Sequence, residues 1–468
     1  MDRLTSLDAE FLHIEDGISH MHIAGGCVFA GEPPTEDDLV GLIAGKLHEI
    51  PRYRQRVRSV PLELGRPVWV DDPHFDIGYH VRRTALPAPG GDAEFDALMG
   101  RLMSQPLDRN RPLWESWLVE GLADDHWALI FKVHHCMVDG IAGVRLLEVL
   151  LDISPVTAVS EPQPWSPAPE PAGTSLVLDA WAGLTADAVT TTRRLAEAVV
   201  HPSRGLATAT STVRGLTRYA RNLLSGPPLS IEGTIGPHRS WAHADASLTD
   251  VKAVGHALGG TVNDVVLAVV AGGFRRLLET RGDDPAEATV RSLVPVSTRG
   301  TDAQGVPDNR VSAILYDLPV GEADPLDRLR VAQAGMADRK GSHMAEAGEA
   351  VTTIGDLAPP MVVGTITRLA SRVMRRIPQR TIGTVTTNVP GPQFPLYCLG
   401  REMLEYRPFV PIAHGVRVGV AILSYNGRLF FGVTGDGTTA PDVDVLAQGI
   451  VAEVDELLAR VGVLEEVR

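Results

Sequence analysis

The sequence predicts an α/β protein built as two related lobes. Three observations carry that prediction. The chain has 468 residues, more than one ordinary core organises. Helical and strand-like patterns are mixed up to Asp152 and mixed again from His238 onward. Between them, residues 155–171 (PVTAVSEPQPWSPAPEP) are too rich in proline for regular structure and read as a linker.

In chain order, HIAGGCVFAG at 22–31 reads as a strand. EDDLVGLIAGKLHEI follows Thr35 as a cap and places Leu39, Ile43 and Leu47 at helical spacing. RYRQRVR alternates, with Arg52, Arg54, Arg56 and Arg58 on one face and Tyr53 and Val57 on the other, which predicts a strand. HWALIFKVHH at 126–135 is apolar enough for a buried strand, and IAGVRLLEVLLDI after Gly140 reads as a helix. Residues 175–224 read as helical pieces interrupted at Pro202 and Gly205. The clearest element of the second half is GGTVNDVVLAVVAGGFRRLLETRG, a helix with Thr261 and Asp264 at capping-box spacing and its end near Gly282. VRSLVPVSTRG, VSAILYDLPV and TIGTVTTNVPGP read as strands, and VRVGVAILSYNGRLFFGVTGD as a hairpin turning at Asn426-Gly427. The expected division is therefore a first lobe at 1–154, a proline-rich and helical connector at 155–237, and a second lobe at 238–468.

Composition narrows the function. Lys plus Arg is 43 against 58 for Asp plus Glu, a net charge of −15, so nucleic acid is not an expected partner. Cys27, Cys136 and Cys398 are far apart and lack CxxC spacing, which argues for a reducing compartment and against structural zinc. The start MDRLTSLDAEFLHIEDG has no signal-peptide core, and no stretch holds the roughly 18 uncharged apolar residues of a membrane span. The expected location is the cytoplasm, with contact at the inner membrane or lipid inclusions made from the surface.

The chemistry concentrates in HHCMVDG, His134 to Gly140. A neutral imidazole can take a proton from a hydroxyl and return it; the alternative is a hydrogen-bonded core histidine before a turn. Asp139 would hold the turn or pair with an arginine, and Gly140 relieves the backbone where strand gives way to helix. Adjacent histidines cannot present two ligands to one metal, and no HExxH is present, so no metal is expected.

HHCMVDG matches the HHxxxDG signature of CoA-dependent acyltransferases. PLW at Pro112 to Trp114, TVNDVVLA at Thr261 to Ala268, LVPVSTR at Leu293 to Arg299, NVPGP at Asn388 to Pro392, LSYNGRLFFGVTGD and the opening LTSLDAEFLHIE are similar to motifs of the bacterial wax ester synthase/diacylglycerol acyltransferase family. Nearly the whole chain resembles that family. One departure is PDNRVS, where Asn309 stands without the glycine expected before it.

The resemblance implies two chloramphenicol-acetyltransferase-like lobes with a central tunnel. Acyl-CoA would enter from one side as co-substrate, with no bound cofactor, and diacylglycerol or a long-chain alcohol from the other. It assigns the base to His135, with His134 supporting it. Neighbours along a strand point oppositely, so Cys136 would leave the face of His135 and act as a small core residue. By analogy, Thr386, Thr387 and Asn388 are oxyanion candidates, or simply the end of a strand. Asn263 and Asp264 are a helix cap or line the tunnel. Asp139 would be structural, with Arg299 a candidate partner, and Trp114 fills core or lines the tunnel. ITRLASRVMRRIPQR carries Arg368, Arg372, Arg375 and Arg376 beside Leu369, Val373 and Ile377; it would lie on anionic lipid or dock on its own lobe. Two other readings remain: an acyltransferase of condensation or polyketide type using carrier-bound donors, and a non-catalytic lipid-binding protein.

Overall fold

The computed structural model describes residues 2–137, 149–156, 160–182, 228–297, 311–341 and 382–466. The first part contains α1 (Ser6–Ile14), β1 (His22–Ala30), α2 (Glu36–Lys46), β2 (Gln55–Arg58), β3 (Val68–Asp71), the single turn α3 (Ile77–His80), β4 (Val81–Ala85), α4 (Asp92–Met103), β5 (Trp114–Leu122) and β6 (His126–His134). The second contains β7 (Glu232–Gly233), β8 (Arg239–Ser247), α5 (Leu248–Ala257), α6 (Val262–Arg281), β9 (Val290–Ser297), β10 (Val311–Leu318) and α7 (Pro325–Gly341). It continues with β11 (Thr384–Pro390), β12 (Tyr397–Cys398), β13 (Arg401–Phe409), β14 (Gly415–Val416), β15 (Val418–Tyr425), β16 (Arg428–Asp436) and α8 (Val443–Glu466).

Local sequence explains the main elements. Thr35 Oγ1 accepts from the Asp38 amide at 3.2 Å, and Asp38 Oδ2 accepts from the Thr35 amide at 3.3 Å, so α2 starts with both donors satisfied. α6 uses the same device through Thr261 and Asp264 and stops at Gly282, whose φ of 81° a side chain would strain. Its apolar residues are buried between the second sheet and α8. The β15–β16 turn has φ of 43° at Asn426 and 82° at Gly427, as a tight hairpin with right-handed twist requires.

The described residues form two six-stranded sheets, ordered β12-β13-β1-β6-β5-β4 and β10-β9-β11-β15-β16-β8. The division read from the sequence, 1–154 and 238–468, is corrected at one place. β12 and β13 leave the second lobe and complete the first sheet, with β13 antiparallel to β1 from Ala24↔Phe409 to Val28↔Glu405. Two glycines permit the crossover. A Cβ on Gly25 would lie 2.1 Å from Tyr406 Oη, and one on Gly432 would lie 1.6 Å from the Pro408 carbonyl oxygen.

The strand expected over 52–58 is also shorter. Pro51–Arg54 forms a 3-10 turn, and only Gln55–Arg58 pairs, with β3. Proline at the first position favours the turn, and the arginines find separate partners. Arg52 lies over Trp69 at 4.3 Å and Arg54 over Trp165 at 4.7 Å, while Arg56 pairs with Glu170 at 2.9 Å. The described part of the connector is thus a docked strap. The Ala168 amide donates to Asp71 at 2.9 Å, and Leu176 packs with Val60, Val68 and Val70. Most of the helix expected after Gly140, the pieces over 183–224 and the Arg368–Arg376 segment lie outside the described residues. Among the described residues no single helix is long and apolar enough to cross a membrane; α5 and α6 pass only as a pair bent by 102°.

Candidate functional site

β6 delivers the histidine pair. The His134 amide donates to Leu113 O at 2.9 Å and the His135 amide to Met21 O at 2.8 Å, the last pairings before a 3-10 turn at His135–Met137. The strand does not continue past His134, so the alternation expected through Cys136 does not apply. Cys136 is buried all the same, packed with Leu4, Ala9, Leu12 and Leu113. Burial raises its thiol above the ordinary range, which removes the thiolate an acyl-enzyme would need.

His134 is 1% exposed. The Cys136 amide donates to its Nδ1 at 3.1 Å, so that nitrogen is an acceptor. A neutral ring then carries its proton on Nε2, an assignment made from the hydrogen-bond geometry. Nε2 lies 3.5 Å from Glu15 Oε2. Glu15 Oε1 lies 3.2 Å from His22 Nε2, and Arg109 Nε donates to Glu15 Oε2 at 2.9 Å. The Leu107 amide also approaches His22 Nε2, at 3.5 Å; the nearer, charged carboxylate is the stronger partner, so this nitrogen donates.

Burial alone would raise the Glu15 pKa. Hydrogen bonds from His134 and His22, together with the Arg109 charge, reverse this and hold it well below the usual carboxylate range. His22 is pushed down to about 3, chiefly by burial, with Glu15 opposing. It is therefore neutral near pH 7. A buried carboxylate thus has two imidazole nitrogens and one guanidinium within 3.5 Å. Among the described residues, no group of three His, Cys, Asp or Glu is placed to hold a metal ion.

His135 differs from its neighbour in exposure. It is half-buried at the start of the turn, with its ring stacked on Phe11 at 4.1 Å between centroids and 23° between planes. A pocket of about 490 Å³ opens beside the carboxylate, lined by Glu15, Asp16, His20, Leu107, Arg109 and Pro237 among others.

The remaining candidates separate by face. β11 runs parallel to β15, pairing Thr386 with Val420, Thr387 with Ala421 and Asn388 with Ile422. Val420 and Ile422 belong to the helix-side core of the second lobe, whereas Leu423, two residues beyond Ala421, packs with the core of the first. Thr386 and Asn388 therefore face the helices, and Thr387 faces the other lobe. Thr386 Oγ1 accepts from Ser292 Oγ at 2.8 Å, and Asn388 Nδ2 donates to Asn263 Oδ1 at 3.3 Å. Asp264 Oδ2 is occupied by the Thr261 amide and hydroxyl, both at 2.8 Å. Trp114 is core: it is 3% exposed, stacks on His80 at 4.5 Å and donates to Tyr53 O at 2.8 Å. Pro112 is buried beside it. Asp139, Gly140 and Arg299 lie outside the described residues.

Residues 4–266 match the wax ester synthase/diacylglycerol acyltransferase catalytic domain, and residues 308–458 match the C-terminal domain of the same family. The chain belongs to this family. It is an α/β acyltransferase. A probable diacylglycerol O-acyltransferase, tgs1, of Mycobacterium tuberculosis (strain ATCC 25618 / H37Rv) is 38% identical over 472 residues, covering 98% of this chain and 96% of that one. A putative diacylglycerol O-acyltransferase of Mycobacterium tuberculosis (strain CDC 1551 / Oshkosh), MT1809, is 34% identical over 98% of this chain and 90% of its own length. The solved wax ester synthase/diacylglycerol acyltransferase from Marinobacter aquaeolei VT8 superposes with a TM-score of 0.70 at 26% identity, covering 99% of this chain and all of that one. The first condensation domain of the CDA synthetase shares the fold, with a TM-score of 0.58 at 16% identity over 98% and 96% of the two chains.

Sequence reasoning missed Phe11, Glu15, His22 and Arg109. A signal was present in LTSLDAEFLHIE: an aromatic and an acid four residues apart share one side of a helix. His22 and Arg109 carried no local signal, because only the tertiary fold brings them to Glu15.

Proposed function

We propose that this chain transfers a long-chain acyl group from acyl-CoA to the hydroxyl of diacylglycerol, forming triacylglycerol, and to long-chain alcohols as a second activity. The observation that carries this reading is the division of labour in the histidine pair. His134 is buried, with Nδ1 accepting from the Cys136 amide and Nε2 facing the Glu15 carboxylate at 3.5 Å, while His135 stands half-exposed on the turn.

In the proposed reaction His135 takes the proton of the acceptor hydroxyl. The oxygen attacks the thioester carbonyl, and the carbonyl becomes a tetrahedral oxyanion. Collapse breaks the carbon–sulfur bond, gives the ester and expels CoA thiolate, which receives the proton from His135. Thr387, facing the other lobe, is the oxyanion donor favoured by its position on β11. Asn263 and Asp264 shape the helix end beyond it. Asp139 and Gly140 are assigned supporting roles in the motif, with Arg299 the proposed partner of Asp139. Apolar tunnel walls would hold the acyl chain at about 0.8 kcal/mol per buried CH₂. No bound cofactor takes part. Acyl-CoA and the lipid acceptor are the partners, met at the cytoplasmic surface of the membrane or of lipid inclusions through the Arg368–Arg376 segment.

The test supplies purified protein with palmitoyl-CoA and with diolein and hexadecanol in competition, following CoA release and ester products. His135→Ala should lower turnover by roughly 10²–10⁴-fold. Wild-type turnover no faster than that of the variant would defeat the proposal. Failure of anionic liposomes to float the protein would remove the membrane contact.

A further inference from the structure

We infer that α1 is the positioning element of the histidine pair, with Phe11 orienting His135 and Glu15 fixing the tautomer and place of His134. This inference rests on the reading of His135 as the base. The two side chains are four residues apart at the C-terminal end of one helix, so they project from the same side. Phe11 stacks on the His135 ring at 4.1 Å. Glu15 caps the helix, its amide donating to Phe11 O at 3.2 Å, and its carboxylate lies 3.5 Å from His134 Nε2 and 3.2 Å from His22 Nε2.

The link from Glu15 to His135 runs through the backbone. His135 is bracketed by two fixed amides. Its own N–H is held by Met21 O at 2.8 Å, and the next N–H, of Cys136, is held by the His134 ring at 3.1 Å. The His134 ring can accept from Cys136 only while its Nδ1 carries no proton. Glu15, a carboxylate 3.5 Å from Nε2, favours a proton on that nitrogen by its charge and so favours that state. Removing the carboxylate would let the ring invert its tautomer or turn, and the peptide leaving His135 would turn with it.

Arg109 ties the assembly to the next element. It donates to Leu12 O at 3.0 Å, a free carbonyl at the end of α1, and to Glu15 Oε2 at 2.9 Å. α1 is itself held. Thr5 caps its first turn, the Leu4 amide donates to Pro67 O at 2.9 Å, and Ala9 and Leu12 pack against Cys136 and Leu113. Glu15 and Phe11 are thus positioning residues: they act on the reacting atoms through other groups.

Two variants of the full chain test this, each read by steady-state kinetics with palmitoyl-CoA and diolein and by ¹⁵N NMR of labelled histidines. Glu15→Gln keeps the shape and removes the charge. It should lower kcat on the order of 10–100-fold, the range that a misplacement of about 1 Å produces, with both KM values held to about twofold. The His134 signals should change from one Nε2–H form to a mixture. Phe11→Leu keeps apolar volume without the ring; it should lower kcat about tenfold at unchanged KM while His134 keeps its single tautomer, and it decides the question if the Gln variant does not fold. Wild-type kcat in either folded variant overturns the inference, as does a wild-type His134 carrying its proton on Nδ1. The NMR readout needs no turnover, so a failure of the functional reading is recognised separately.

Discussion

Acidification should weaken this protein through His22, and the effect has a definite size. In the folded chain His22 sits at about 3, against 6.5 ordinarily. Below pH 6.5 the unfolded chain binds a proton that the folded chain refuses, so stability is lost as pH falls from 6.5 toward 3. The full window is about 3.5 pH units, or about 5 kcal/mol at about 1.4 kcal/mol per unit. The share between pH 7 and pH 5 is about 2 kcal/mol by the same linkage. The groups facing His22 are Glu15 at the end of α1, His20 from the segment leading into β1, and Lys132 and His134 from β6. Glu15, with its depressed pKa, contributes stability above the ordinary carboxylate range and loses it only below, outside this interval. His20 is also lowered by burial and acts with the same sign, so a subtraction is needed. His22→Gln keeps an N–H donor toward Glu15 and cannot titrate. Urea unfolding free energies of both proteins at pH 7 and pH 5, followed by tryptophan fluorescence, give the difference. The wild type should lose about 2 kcal/mol more than the variant. Equal losses would refute the argument that a neutral, buried His22 is built into the site.

Gly432→Ala should destabilise the protein by about 1–3 kcal/mol or more, seen as a lower thermal midpoint, because its methyl would overlap the Pro408 carbonyl at the crossover. Thr387→Val should reduce kcat on the order of 10²-fold at an unchanged melting temperature. Thr386→Val should instead cost about 1–3 kcal/mol by taking the acceptor from the buried Ser292 hydroxyl, with kcat per folded molecule retained. His243 joins the lobes through Asp96 at 2.7 Å and Asp92 at 3.5 Å; burial opposes its protonation, but these carboxylates outweigh burial and raise its pKa. Its contribution is complete below the ordinary histidine value and is lost as pH rises through the raised one. Melting curves from pH 6 to pH 9 should therefore fall less steeply in Asp96→Asn than in wild type.

Periodicity made the well-separated elements legible. Thr35, Thr261, Gly282 and Asn426-Gly427 mark starts, stops and a turn whose chemistry is local, and the structure follows them. β13 escaped notice because REMLEYRPF alternates weakly and its partner β1 is about 380 residues away in the chain. The arginine strand failed because Trp69, Trp165 and Glu170, which decide where those side chains go, are remote in sequence. At the candidate site, HHCMVDG singles out the two histidines from local sequence alone. Which threonine of Thr386 and Thr387 faces the opposite lobe depends on strand register, which no motif states. Glu15 sat in plain view within a quoted motif, but its partners His22 and Arg109 reach it only through folding.

The borrowed strands have a cost during synthesis. Until residue 409 leaves the ribosome, β1 has a neighbour on one side only, and a long, apolar edge is open to pairing with any other chain. A product that terminates before Arg401 keeps the whole histidine pair and still cannot close its own sheet. Halves expressed separately should therefore aggregate, and closure of the first sheet should be slow, because it joins strands far apart in the chain.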